Sequence, residues 1–247
     1  DGISGAVYAA YATLDNGTGR IDAWNDGRPV GEGKAWWAGF TSTFSYFDPF
    51  TLKLSAAYGE FNAANKGDKN ESGWNVQVKG SYALPFGTAS LGGWYFSGAD
   101  KGEYGAMPSA GYFNGTNHYY DGFASLTNSP ANGLNTGTWA VQAGIEGVSF
   151  LEGLNHDFHV TYMEGTNDAE AEVKFLGDKN AFGNYLTEDD SLVEISLNNT
   201  YKIYKNLTAR LELAYIIADI EDRGEAADPV KFDEDNWFAG LTFDFQF

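Results

Sequence analysis

Apolar and polar residues alternate with a period of two along nearly the whole chain, the spacing that puts successive side chains of a β-strand on opposite faces. Between 34 and 46, Trp36, Ala38, Phe40, Phe44 and Tyr46 share one side, with Thr41, Thr43 and Ser45 opposite. After Asp48-Pro49, Phe50, Leu52, Leu54, Ala56 and Tyr58 resume the apolar side, with Thr51, Lys53, Ser55 and Ala57 between them. Residues 74–84 place Trp74, Val76, Val78, Gly80, Tyr82 and Leu84 against Asn75, Gln77, Lys79 and Ser81, and a weaker strand follows at about 88–97. Trp139, Val141, Ala143 and Ile145 continue the pattern, then Phe158, Val160 and Tyr162 against Asp157, His159 and Thr161. Val193, Ile195, Leu197, Tyr201 and Ile203 oppose Glu194, Ser196, Asn198, Thr200 and Lys202, and Leu207 to Ile217 repeat it against Thr208, Arg210 and Glu212. The last strand, "NWFAGLTFDFQF", carries Trp237, Ala239, Leu241, Phe243, Phe245 and Phe247 on one side. Residues 3–14 complete about ten predicted strands, with small, mixed residues on both sides.

The connections sort by length. Short turns are predicted near 48–49, 85–87, 152–155 and 204–206, and long polar segments at about 15–32, 62–73, 98–136, 165–190 and 221–235. Short turns at one rim and long loops at the other are the pattern of an outer-membrane β-barrel. Strands of about 9–11 residues are long enough to cross a bilayer when tilted. Aromatic residues form two groups. Tyr46, Phe50, Tyr82, Tyr201 and Phe245 lie beside the short turns or the C-terminus, and Trp36, Tyr58, Trp74, Trp139, Tyr162, Tyr215 and Trp237 beside the long loops. Two such girdles are expected where a barrel wall meets the two water–lipid boundaries. The expected fold is therefore an all-β, transmembrane antiparallel barrel occupying residues 1–247 as one domain, in a bacterial outer membrane.

Composition sharpens this in a few places. Aromatics make up 16% and glycine contributes 31 residues, which suits strands and turns. Cysteine is absent, excluding disulfides and thiolate metal sites. A net charge of -19 argues against a nucleic-acid partner and against a basic membrane-surface helix. No apolar run is long enough for a membrane-spanning helix. The N-terminus "DGISGAVYAA" lacks a signal-peptide pattern, which suggests a signal already removed or a chain beginning partway through a longer one.

The face opposite the aromatics is expected to be the inner wall. Its residues are mostly short (Thr51, Ser55, Gly59, Ser81, Ser90, Gly92, Gly144, Ser196, Thr242), which predicts a water-filled channel wider than ten strands enclose. The predicted pore-lining charged and titratable residues are Lys53, Lys79, Glu146, Asp157, His159, Glu194, Lys202, Arg210, Glu212 and Asp244. Two readings stand for them: a transverse field that selects among ions, or solvated wall residues and ion pairs. The acidic segments "TEDD" at 187–190, "DIEDRGEAADP" at 219–229 and "DED" at 233–235 have three readings. They concentrate cations at the mouth, hold non-specific divalent cations that bridge lipopolysaccharide, or are solvated loops. No segment has the spacing of a calcium loop, and no cofactor is expected.

Several stretches resemble the homotrimeric outer-membrane porins of the Desulfovibrio type. These are "KAWWAGFTSTFSYFDPFTLKLSAAYGEF" (34–61), "YGAMPS" (104–109), "GVSFLEGLNHDFHVTYMEGTND" (147–168) and "LTEDDSLVEISLNNTYKIYKNLTARLELAYI" (186–216), with the aromatic terminal strand. The resemblance covers about half the chain and implies a homotrimer of roughly 16-stranded barrels. Members of that family are considerably longer, so this chain resembles their C-terminal half, with strands missing on the N-terminal side. The usual constriction loop would fall outside it, making the segment at 98–136 a later loop. The function implied is passive diffusion of small hydrophilic solutes and ions, with a lean toward cations.

Two other functions fit parts of the pattern. A complete ten-stranded barrel suits an omptin-like enzyme, whose site needs acidic residues and a histidine near the extracellular rim. "NHDFH" supplies His156, Asp157 and His159 at the opposite rim, and His118, beside Tyr119, Tyr120 and Asp121, has no second matched constellation. No catalytic residue is therefore assigned. The long Tyr-, Asn- and Gly-rich loops also suit a barrel that displays loops to a partner.

Overall fold

The structure, a computed structural model, describes residues 2–14, 33–64, 71–100, 137–169, 186–221 and 235–246. Ten strands form one antiparallel sheet in strict chain order. They are β1 (Ile3–Leu14), β2 (Gly33–Phe44), β3 (Phe50–Ala63), β4 (Glu71–Leu84), β5 (Gly87–Phe96), β6 (Thr138–Leu151), β7 (Leu154–Gly165), β8 (Ser191–Tyr204), β9 (Leu207–Asp219) and β10 (Asn236–Phe245). Among the described residues there is no helix. The strand predicted at 3–14 is a full partner of β2, with Val7 opposite Phe40 and Tyr8 opposite Gly39. Each neighbour pair is a meander step, so every connection joins adjacent strands and none crosses the sheet. Among the described residues β1 and β10 do not pair, and the sheet keeps two edges.

The register is regular except at β6–β7 and the end of β8–β9. In β6 it shifts between Ile145 and Val148, and Gly147, at φ +66°, sits in that gap. A residue with a side chain is disfavoured in this left-handed region, so glycine suits the bulge. The Gly147 N–H donates to Asp157 Oδ1 at 2.6 Å, satisfying the donor that the bulge frees from the ladder.

Burial across the sheet is inverted relative to a water-soluble protein. On β4, Val76 and Val78 are 42% and 41% exposed, while Asn75 and Gln77 between them are 1% and 0% exposed. The same holds for exposed Val141 and Val160 against buried Gln142 and Thr161, and for exposed Ile195 against buried Glu194 and Ser196. We call these the apolar face and the polar face.

Cross-strand register lines the aromatics of the apolar face into a row near the long connections. The row runs Tyr11, Trp36, Tyr58, Trp74, Tyr95, Trp139 and Tyr162, and resumes at Tyr215 and Trp237. On β8 the corresponding place is held by Val193, opposite Tyr162 and Ile217. Neighbouring rings touch, with centroids 5.3 Å apart for Trp36–Tyr58, 4.8 Å for Trp74–Tyr95 and 5.5 Å for Trp139–Tyr162. Such pairs add about 0.5–1.5 kcal/mol beyond area burial. Tyr11 and Tyr95 join the girdle read from sequence. A second set, including Tyr46, Phe50, Tyr82, Phe86, Phe150, Tyr201 and Phe245, is exposed toward the short turns. Trp74 and Tyr82 lie at opposite ends of β4. Their separation is about 26 Å along the strand at about 3.3 Å per residue, somewhat less across a tilted sheet.

The polar face is more varied than its short residues predict. Toward the long connections it packs large apolar side chains in two clusters, one of Trp94, Phe96, Ala140, Met163, Leu186, Leu192 and Ile216, the other of Ala35, Trp37, Ala57 and Phe61. The expectation of an inner wall of mostly short, solvated residues is thus corrected for that half. Adjacent residues such as Trp36 and Trp37 point to opposite faces, so a strand end can be apolar on both.

Candidate functional site

All ten residues expected to line the inner wall fall on the polar face. Direct cross-strand partners share a face, and the partners are Lys53 with Lys79, Glu146 with Thr88, His159 with Ser196 and Glu194 with Thr161. Asp157 faces Asn198, which faces Glu212; Arg210 faces Thr242; Lys202 and Asp244 both face Thr208. They are not equally placed. Lys79, His159 and Glu194 are buried, while Lys53, Lys202 and Arg210 are exposed toward the short turns.

Three of the ten meet in one cluster with Ser90, across four consecutive strands. Glu146 on β6 accepts three hydrogen bonds on the same oxygen, Oε1. Lys79 Nζ donates from β4 at 2.8 Å, Ser90 Oγ from β5 at 2.9 Å, and His159 Nε2 lies 3.3 Å away on β7. Oε2 takes no part in any of them. His159 is 1% exposed and its Nδ1 has no hydrogen-bond partner, so the Nε2–H tautomer is the one that serves Glu146. The ring reaches Glu146 by lying across Gly144, its register partner. A Cβ built on Gly144 would stand 2.3 Å from His159 Cδ2. Glycine at 144 is therefore what lets the imidazole cross to β6.

Other charged groups are committed differently. Arg210 and Asp244 approach to 3.8 Å with both side chains about half exposed, a pairing worth about 0–1 kcal/mol. Asp157 is engaged at the bulge. Buried atoms without a hydrogen-bond partner on the polar face include Ser55 Oγ, Ser196 Oγ and Asn198 Oδ1.

At the end bearing the long connections, Asn167 ties three segments together. Its Oδ1 accepts from Ala99 N–H at 2.9 Å, and its Nδ2 donates to Leu186 O at 2.7 Å and to Gly137 O at 3.3 Å. Asp190 adds a fourth, since Oδ2 accepts from Thr187 N–H at 2.8 Å and Oδ1 from Glu221 N–H at 3.0 Å. Within "TEDD", Asp190 is thus a buried structural acceptor, which corrects its reading as part of a solvated or cation-gathering loop. Sequence reasoning missed Asn167, because a single polar residue past a strand end carries no periodic signal. Residues 222–234, with most of the remaining acidic clusters, lie outside the described residues, as does the 118–121 segment with His118. Among the described residues no three His, Asp or Glu side chains gather as a metal site.

The chain matches no family model and no curated protein.

Proposed function

We propose that this chain is the wall of a bacterial outer-membrane porin, through which small hydrophilic solutes and ions diffuse passively with a lean toward cations. One observation carries the reading, the inverted burial described above. A sheet that exposes Val76, Val78, Val141, Val160, Ile195 and Leu241 while burying Gln77, Gln142, Thr161 and Glu194 matches a lipid solvent outside and a polar interior. The aromatic row at one end and the aromatic set at the other support a bilayer boundary at each.

The two edges of the sheet support a cylinder completed by further strands. In hydrocarbon no water satisfies a free edge, and each unpaired backbone group costs several kcal/mol, so only a closed ladder is stable there. The homotrimer is part of the same proposal and comes from the family resemblance alone. Cross-linking in native membranes should give a trimer, and monomers only would remove that part. The channel itself is tested in planar bilayers. Stepwise conductance is expected, with a reversal potential toward the cation equilibrium value in a salt gradient. Membranes that stay silent across repeated preparations would overturn the reading.

A further inference from the structure

Glu146 Oε1 lies where three donors from three different strands converge: an ammonium, a hydroxyl and an imidazole N–H. Such a set recognises any carboxylate or oxyanion, because a charged donor and two neutral ones satisfy the lone pairs of one oxygen. We propose that Lys79, Ser90 and His159 form an oxyanion-binding site whose resident occupant is the protein's own Glu146 carboxylate, and that a small solute carboxylate binds there by displacing it. Access of a solute to this face rests on the channel reading above; the donor set does not.

The surroundings favour this assignment. Lys79 is buried and stands opposite Lys53, so the site lies in a positive part of the wall. Without an acid beside them, two lysines directly across a ladder would repel. The other acids near His159 are placed elsewhere. Asp157 accepts from the Gly147 N–H, and Glu194 is the register partner of Thr161, further along β8. The three donors stand on ladder-paired strands and Gly144 leaves the path of the ring open, so the sheet sets the spacing of the backbone positions that carry them. Glu146 is the more exposed partner of the ion pair, its side chain 26% exposed against 8% for Lys79, and only its Oε1 takes part in the three contacts.

The test uses the atoms that Glu146→Ala removes, which are those of acetate. The whole chain is purified in detergent micelles, and its thermal unfolding midpoint is followed as sodium acetate replaces sodium chloride at constant ionic strength. In E146A, acetate should raise the midpoint by several degrees in a saturable way, and methylammonium chloride should not. Wild type should need about tenfold more acetate, because the tethered carboxylate competes at high effective concentration. The K79M/E146A double variant should lose the response. Should E146A fail to fold, E146Q keeps the shape without the charge and should respond to acetate below the wild-type concentration. Acetate no better than chloride in the folded variants, or an equal response in K79M/E146A, would overturn the site. In bilayers, acetate should lower the single-channel conductance of E146A more than that of wild type. Silent membranes from both would count against the channel reading alone, since the unfolding response is read without it.

Discussion

At Gly144 one hydrogen atom decides whether β7 can reach β6 with a charged contact. An alanine methyl there would stand 2.3 Å from the His159 ring and 3.0 Å from the Phe158 carbonyl oxygen, so the ring must turn away from Glu146. Glycine-to-alanine at 144 should destabilise by about 1–3 kcal/mol, the usual cost of overpacking. Denaturant unfolding in detergent measures it, and the cost should fall well below the sum of the single changes when His159→Ala is combined with it. Asn167 is the second residue whose role exceeds its size. Asn167→Ala takes the side-chain partner from the Ala99 N–H and the Leu186 carbonyl, while Gly137 O keeps the Thr166 N–H, at about 1–3 kcal/mol for each group left dry and unpaired. Faster proteolysis within residues 97–137 and 166–190, with the sheet itself intact, is the expected result. Cleavage rates equal to wild type would show that the knot carries little. Neither residue could be picked out from the chain, because what matters at both is a contact with a distant segment.

At the scale of the strand, period-two alternation reports which side chains share a face, and the cross-strand register agrees with it on β2 to β10. β1 was the faint case, because Ala and Gly on both faces blur the contrast; its register opposite β2 resolves it. The mixed ends were the harder failure. Trp37, Trp94 and Phe96 lie on the face that otherwise carries Ser, Thr, Gln and charged residues, and a reading that follows one apolar row overlooks them. A strand-level prediction separates lipid from water as the solvent of the apolar face. Val76→Lys, mid-strand on β4, should cost about 2–4 kcal/mol for folding into lipid vesicles. At a water-exposed position the same change would lie within about 0.5 kcal/mol. Urea titration in vesicles decides between the two, and a near-neutral result would remove the lipid from the account.

Across the whole molecule, the polar face is graded from one rim to the other. Apolar packing near the long connections gives way to buried polar residues and the Glu146 cluster. Exposed Lys53, Lys202, Arg210 and Asp244 follow near the short turns. In a conducting cylinder, fixed charge on the wall biases which ions pass. Because Lys79 is held by Glu146, neutralising the acid alone should release positive charge into the wall. Glu146→Gln should therefore move the reversal potential toward anions, whereas Asp244→Asn, at an exposed and weakly paired position, should move it far less. Equal shifts would mean that the cluster does not screen Lys79.

The alternation of side chains by itself determined the number of strands, their order of long and short connections, the two aromatic groups and the face on which each charged residue lies. These are local properties: a period of two and the length of the gaps between runs are written in consecutive residues. The tertiary structure alone decided which of those same-face residues touch. Lys79 and Glu146 are 67 positions apart, and their contact depends on the register of two intervening strand pairs, while the contact of His159 with Glu146 depends on the absence of a side chain at Gly144. Register accumulates across a sheet, and a one-residue slip would send every later side chain to the opposite face. That is why the wall was legible residue by residue, while the site built on it was not.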